Sequence, residues 1–283
     1  MRAAVITHHF PNDNIEPALE RLRSIASEHG FELLHDTAVS EQESLATGPQ
    51  LLTNPELAAA APDLAIVLGG DGSVLRSLRT FAGSKVPTFG INFGTIGFLT
   101  TVEREELIAG LEHAFKGEYD VLPLPALRLK YGDIDVAGFN DVSIHRSRDA
   151  RVAEVAYSLQ GEQVGRVRCD GVVAATPAGS TGYNLANNGP ILAWGVEGFV
   201  VSFIAPHTLT ARALVAAPDD PLTVTNAGRR DELEILVDGL MVGTLPVGEA
   251  VEITFEDDLA GLAQLPGSNF YDRFRDKFGK LAS

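Results

Sequence analysis

Cysteine is almost absent: Cys169 is the only one in 283 residues. That excludes an intrachain disulfide and a cysteine-built metal site. Basic residues are also scarce, with 22 Lys and Arg against 38 Asp and Glu, a formal charge of −16 at pH 7. Such a chain lacks the basic face that general nucleic-acid or anionic-membrane binding requires. Phosphorylated small molecules stay within reach, because backbone amides, a few arginines and a bound cation reverse the field locally. No stretch reads as a membrane span. The one long uncharged run, Gly171 to Val196, is broken by two prolines, several glycines and three asparagines. Met1 to Phe10 lack the apolar run of a signal peptide, so the expected location is the cytoplasm. What the chain does have is 45% hydrophobic residues, enough for a sizeable core in one large domain or two ordinary ones.

The first hundred residues alternate strand and helix. Ala3–Thr7 reads as a short buried strand, Glu16–His29 as a helix stopped by Gly30, and Phe31–His35 as a second strand. Leu64–Leu68 is a continuous apolar run, the pattern of a central parallel strand covered on both faces. A helix over Ser73–Phe81 and a strand over Pro87–Ile91 follow. After about residue 120 the periodicity changes to alternating strands: Ala126–Tyr131, Val152–Leu159, Leu233–Val237 and Val251–Phe255. Asn269–Leu281 is amphipathic and helical, with Phe270, Phe274 and Phe278 read as core residues that dock on the rest; Trp194 is read as core too. The expected fold is α/β, an N-terminal doubly wound, Rossmann-like domain plus a β-rich C-terminal domain. The first covers residues 1–118 with the returning helix, about 262–283, and the second 119–261.

Three clusters carry chemistry. Gly69-Gly-Asp-Gly72 lies between a buried strand and a helix, where glycine lets the backbone approach an anion and the helix adds its positive end. Asp71 is then a carboxylate beside phosphates, favourable where it binds a cation or accepts a proton. An Asp-Gly pair is also common in tight turns, so this loop alone admits both readings. Arg76, one helical turn on, is placed to reach a phosphate or to remain a solvated helix charge. The second cluster, Phe89 to Leu99, follows the next strand and carries Asn92 as its polar group. In a parallel sheet both fall at the carboxyl ends of strands, where ligands bind. The third comprises Phe139-Asn-Asp-Val-Ser143 and Arg168 to Tyr183. The latter is dense in small polar residues and reads as a loop wrapped round a ligand. Asn140, Asp141 and Asp170 suit ribose hydroxyls or an exocyclic amine, and equally suit turns and caps.

Taken in order, these clusters resemble the NAD kinase family. Its pattern is a Gly-Gly-Asp-Gly loop, Asn-x-Gly-x-x-Gly-Phe-Leu, an Asn-Glu or Asn-Asp pair, Asp-Gly leading into Thr-Pro-x-Gly-Ser-Thr-x-Tyr, and Pro-His-Thr. Here these are Gly69–Gly72, Asn92–Leu99, Asn140-Asp141, Asp170–Tyr183 and Pro206–Thr208. The resemblance implies phosphoryl transfer from ATP or polyphosphate to the 2′-hydroxyl of the adenosine ribose of NAD, giving NADP, with a divalent cation, Mg²⁺. It implies Asp71 as proton acceptor, with Gly69, Gly70 and Gly72 around phosphate and dinucleotide. Asn140 and Asp141 match the pair on adenine and ribose, and Asp170, Thr181, Gly182 and Tyr183 the loop around the nucleotide. Arg168 stands two residues before that loop, and Arg151 where the family often has a basic residue. The first domain would then bind the phosphate donor and the second NAD, in a homo-oligomer, dimer or tetramer, that shares site residues between subunits.

Three positions depart from the pattern. Ala178 lacks the usual hydroxyl, Gly182 replaces alanine and loosens the loop, and Leu240 follows Asp238-Gly239 where a polar residue is common. All bear on ligand affinity; none touches the transfer loop. Two rival functions fit less well. A lipid kinase with the same loop would show a membrane-facing surface, which −16 opposes, and a dinucleotide sensor would not need Asp71. His8 and His9 follow the first strand and read as solvated loop, and His207 reads as a turn.

Overall fold

The computed structural model describes residues 1–7, 15–36, 53–95, 97–208 and 210–279. The described residues up to Leu124 and from Leu259 onward form one compact unit, and Pro125–Asp258 another. His8 and His9 lie outside the described residues. No described helix is long and apolar enough to cross a membrane.

The first unit runs β1 (Arg2–Thr7), α1 (Ile15–Glu28), β2 (Glu32–His35), α2 (Pro55–Ala59), β3 (Leu64–Gly69), α3 (Asp71–Thr80), β4 (Pro87–Asn92), β5 (Val102–Glu103) and α4 (Leu107–Lys116). Strands β2, β1, β3 and β4 lie side by side, each pair parallel. Helices cover both faces, so all six residues of β3 are buried. Leu22 and Ile25 of α1 and Leu111 and Phe115 of α4 pack on one face with Val5, Ile66, Phe89 and Ile91. Each such side chain, fully buried, contributes roughly 1.5–3 kcal/mol. Helix α3 takes the other face: a Cβ on Gly90 would come within 3.0 Å of Val74 Cγ2. The chain winds from β1 out to β2, then returns past β1 to β3 and β4. The winding direction therefore reverses between β1 and β3, and the crevice beyond the carboxyl ends there is where open α/β sheets take ligands. Gly69–Gly72 leaves β3 at that point.

The second unit is nearly all strand: β6 (Asp120–Tyr131, from Pro125 on), β7 (Ile134–Gly138), β8 (Asp141–Arg146), β9 (Ala153–Leu159), β10 (Glu162–Cys169), β11 (Gly171–Ala175), β12 (Phe199–Ile204), β13 (Leu214–Ala216), β14 (Leu222–Asn226), β15 (Leu233–Val237), β16 (Leu240–Leu245) and β17 (Ala250–Gln264, up to Asp258). One antiparallel sheet has the order β13-β12-β11-β8-β15-β16. β10, β9, β14 and the start of β17 pair antiparallel in the same way. The α/β-then-β expectation is borne out.

Two local expectations are not. Gly171–Ala175, read as part of a ligand loop, is the central strand β11, buried at all five positions between β8 and β12. Small residues fit where neighbours press from both sides, and a Cβ on Gly171 would stand 2.5 Å from the Ile144 carbonyl oxygen. The aromatic stripe of the C-terminal helix, Phe270–Phe278, is not core, because that helix buries none of its residues. Its rings stack along the helix at 6.1 and 5.0 Å, and Phe278 meets Phe98 at 5.4 Å. Trp194 is likewise only partly buried.

Candidate active site

In the first unit the two glycine-rich loops meet at Asp71. It is the first residue of α3, capped by extended Gly70, so its carboxylate stands at the positive end of the helix. Oδ2 accepts the Phe98 amide at 2.9 Å and Oδ1 the Leu99 amide at 2.8 Å. Each oxygen keeps a further lone pair for a ligand hydroxyl. The loop after β4 approaches so closely that a Cβ on Gly94 would lie 3.2 Å from the Gly70 Cα. Asn92, 4% exposed, shapes that loop from inside. Its Nδ2 donates to Glu103 Oε2 at 2.8 Å and its Oδ1 accepts the Gly94 amide at 2.9 Å. Gly97 folds over it with φ +67°, and a Cβ there would be 2.4 Å from Asn92 Nδ2. The Asn92 amide is thus used within its own loop. Arg76 is neither a solvated charge nor a free cation for phosphate. It is 8% exposed, ion-paired with Asp36 at 2.8 Å and donating to the Thr7 carbonyl at 3.2 Å. Burial pulls its pKa down while Asp36 pushes it up.

In the second unit, Asn140 and Asp141 open β8 beside β11, with Asp141 opposite Ala175. The Asn140 carbonyl accepts the Thr176 amide at 2.9 Å, and the Thr176 hydroxyl donates to the Phe139 carbonyl at 2.6 Å. Gly179 presses on this segment: a Cβ would come 1.9 Å from the Asn140 oxygen, so only glycine fits. Asp141 is 5% exposed, and burial first, then the charge of Asp238, raise its pKa to about 7. Asp170 forms a two-point pair with Arg146, at 2.8 and 3.3 Å, which lowers its pKa. Tyr183 is 36% exposed and packs on His145 at 5.5 Å. Its phenol is shifted up by burial and then by Asp141 and Asp170, so these three groups share one neighbourhood. Thr181 ends the short turn Ala178–Thr181 and Gly182 joins it to the one-turn helix α5 (Tyr183–Ala186), with the Thr181 hydroxyl donating to the Ala178 carbonyl at 3.2 Å. Arg151 and Arg168 are exposed, and the Arg168 carbonyl accepts the His207 amide at 2.8 Å. Cys169 is inert, its thiol pushed up by burial to about 12.

Three residues emerge only from the structure. Asp238, in the β15–β16 turn, accepts the amides of Phe139 at 3.1 Å, Asn140 at 2.7 Å and Asp141 at 3.1 Å. The Asp-Gly pair between two alternating strands is a hairpin signal, but what its carboxylate grips lies about a hundred residues upstream. Arg146 holds Asp170, and half-buried His145 packs against Tyr183 with its buried Nε2 unpaired among the described residues. Burial pulls the His145 pKa down.

Comparison with known proteins names this arrangement. The ATP-NAD kinase N-terminal domain matches residues 6–119 and the ATP-NAD kinase C-terminal domain residues 139–258. The NAD kinase of Acidobacterium capsulatum is 32% identical over 282 residues, 98% of each chain. That of Gemmatimonas aurantiaca is 35% identical over 223 residues, 77% of each. Among solved structures, an NAD kinase from Archaeoglobus fulgidus in complex with ATP superposes with a TM-score of 0.74 at 25% identity, covering 100% of this chain and 99% of that one. Yeast NADH kinase complexed with NADH, 21% identical, shares the fold with a TM-score of 0.85. With both family domains present in order and a relative aligned over nearly its whole length, this chain belongs to the ATP-NAD kinase family and is a phosphotransferase of that kind.

Proposed function

We propose that the chain transfers the terminal phosphoryl group of ATP, or of polyphosphate, to the 2′-hydroxyl of the adenosine ribose of NAD, giving NADP, with Asp71 as proton acceptor. The observation that carries the reading is the Asp71 carboxylate, fixed by two loop amides at the carboxyl end of β3 where the sheet's winding reverses. Phosphoryl transfer runs through a loose transition state, so positioning and charge neutralisation supply most of the acceleration. A carboxylate is too weak a base to take a ribose hydroxyl proton before the new P–O bond forms. It takes the proton late, as that bond closes and the hydroxyl becomes acidic.

Asn140 and Asp141 are assigned to adenine and ribose, Asp170, Thr181, Gly182 and Tyr183 to the nucleotide's surroundings, and Arg151 and Arg168 to its phosphates. Gly69, Gly70 and Gly72 leave the backbone open to the donor. Among the described residues no three acidic or imidazole groups converge as a cation cage. From this chain the Asp71 carboxylate, in the first turn of α3, would reach a Mg²⁺ ion carried on the donor's phosphates. The ion would supply neutralisation of phosphate charge. Assembly as a homo-oligomer is part of the same reading, supported by edge strands β10 and β13 that expose Val164 and Val215.

Asp71→Asn keeps the side chain's size, removes the base and gives up one of the two loop-amide bonds, because Nδ2 cannot accept. NADP formation, followed with an NADP-specific coupled assay, should fall ~10²–10⁴-fold with NAD binding unchanged. A drop of less than tenfold rejects the base role.

A further inference from the structure

We infer that Arg273, on the C-terminal helix, is a positioning residue for phosphoryl transfer, gripping from behind the peptide that holds Asp71. The inference rests on the reading of Asp71 as proton acceptor and extends it to a residue 202 positions downstream (273 − 71).

One peptide unit links the two side chains. The Leu99 amide donates to Asp71 Oδ1 at 2.8 Å, and the carbonyl of that same peptide, Phe98 O, accepts from Arg273 Nη1 at 2.8 Å. Acid and base thus hold opposite ends of one planar group, and rotating it breaks both bonds. Each side chain also holds a neighbouring peptide: the Phe98 amide donates to Asp71 Oδ2, and the Thr100 carbonyl accepts from Arg273 Nη1. Arg273 is itself braced by Gln264, which closes β17 at 5% exposure and accepts from Nη2 at 2.6 Å. Lys277, one turn further along the helix, donates to Glu103, and Glu103 accepts from Asn92. Burial pulls the Arg273 pKa down, while Asp71 and then Glu103 push it up.

The chemical consequence concerns direction. Two amides orient the Asp71 carboxylate, and those amides follow directly on a segment rich in backbone freedom, with Gly94 and Gly97 just before them. Asn92 fixes the start of that segment. Arg273 fixes its end, by charge-assisted bonds to the Phe98 and Thr100 carbonyls. Without the guanidinium the 98–99 peptide is free to turn, and the carboxylate loses its orientation toward the acceptor hydroxyl. The adenosine-binding groups assigned above lie elsewhere in the chain, so the loss appears in turnover rather than in NAD affinity.

The test uses full-length Arg273→Met, Arg273→Lys, Asp71→Asn and the Asp71→Asn/Arg273→Met double variant, with steady-state kinetics for NAD and a melting temperature for each. Arg273→Met should lower kcat at least tenfold with KM for NAD within twofold, and lysine should restore part of the loss. In the Asp71→Asn background the methionine substitution should change the residual rate less than twofold, because the group it positions is gone. A kcat within threefold of the parent overturns the inference, as does an undiminished effect in the double variant. Should Arg273→Met not fold, Arg273→Lys carries the split: kcat reduced threefold or more at constant KM supports the role, and a parental kcat overturns it. If Asp71→Asn alone loses less than tenfold, the Asp71 reading fails first and takes this one with it. Failure confined to the Arg273 variants leaves Asp71 standing.

Discussion

At the scale of single residues, the proposed site keeps groups that stability alone would remove. Asp141 is the clearest. Its carboxyl is 5% exposed and its pKa stands at about 7, raised by burial and then by Asp238. In the unfolded chain the same group titrates near ~3.9. Between those values the folded state binds more protons than the unfolded one, so stability is fully present below about pH 4 and declines as pH rises to about 7. The accumulated cost above pH 7 is on the order of 4 kcal/mol at 1.36 kcal/mol per unit, an upper figure. A ligand hydroxyl or amine donating to the ionised carboxylate would offset it. Asp141→Asn should therefore raise the melting temperature of the ligand-free protein by about 5 °C at pH 8, converge with the parent near pH 4, and weaken NAD binding. Scanning calorimetry across that range checks it, and an equal or lower melting temperature at pH 8 would refute the assignment. Asp71 was legible in the sequence because glycines, strand and helix lie within ten residues of it. The partner of Arg76 was not, since Asp36 lies forty residues upstream and no local spacing announces it.

At the scale of elements, the hairpin β15–β16 acts as a clasp on the start of β8. Asp238 and Gly239 both have positive φ, 47° and 79°, the conformation of a two-residue turn matched to strand twist. The turn presents its carboxylate to three amides and donates its own amide to the Asp141 carbonyl at 2.8 Å. Asp238→Ala leaves three amides without their acceptor, each a loss of about 1 kcal/mol or more, partly offset by relief of Asp141. A melting temperature lower by about 5 °C and a several-fold higher KM for NAD are expected. Unchanged values of both would mean that solvent replaces the clasp. Elements with strong period, such as β3 and β15, could be read directly from the sequence. β11 could not, because Gly-Val-Val-Ala-Ala runs straight into the Thr-Pro loop with no break in composition. α4 escaped notice because Gly110 in mid-helix lowers its propensity; the glycine is there for packing, as a Cβ would come 2.7 Å from Val102 Cγ2. The unit boundaries fall inside the continuous strands β6 and β17; Pro123 and Pro125 bracket the first, but no break in strand pattern marks either.

At the scale of the molecule, charge is segregated. The chain carries −16, yet Arg146–Arg168 holds five arginines (146, 148, 151, 166, 168) against three acids (149, 154, 162), a local net of +2. Four of those arginines, all but Arg146, are exposed. Both proposed substrates are anions, so they meet two opposing fields whose reach depends on salt. At 0.01 M ionic strength the Debye length is ~30 Å and the whole negative chain is felt; at 0.1 M it is ~10 Å and only nearby groups count. Raising KCl from 0.01 to 0.1 M at constant free Mg²⁺ should therefore increase kcat/KM for ATP and for NAD by about threefold, as long-range repulsion is screened first. Further salt then screens the arginines themselves, and kcat/KM should fall, giving a maximum near 0.1 M. A uniformly repulsive surface would give a steady rise instead, and a surface dominated by its arginines a steady fall from the lowest salt. Steady-state rates at six or so ionic strengths, with the second substrate saturating, separate the three. A monotonic fall would mean that the local arginines outweigh sixteen units of net negative charge even at long range.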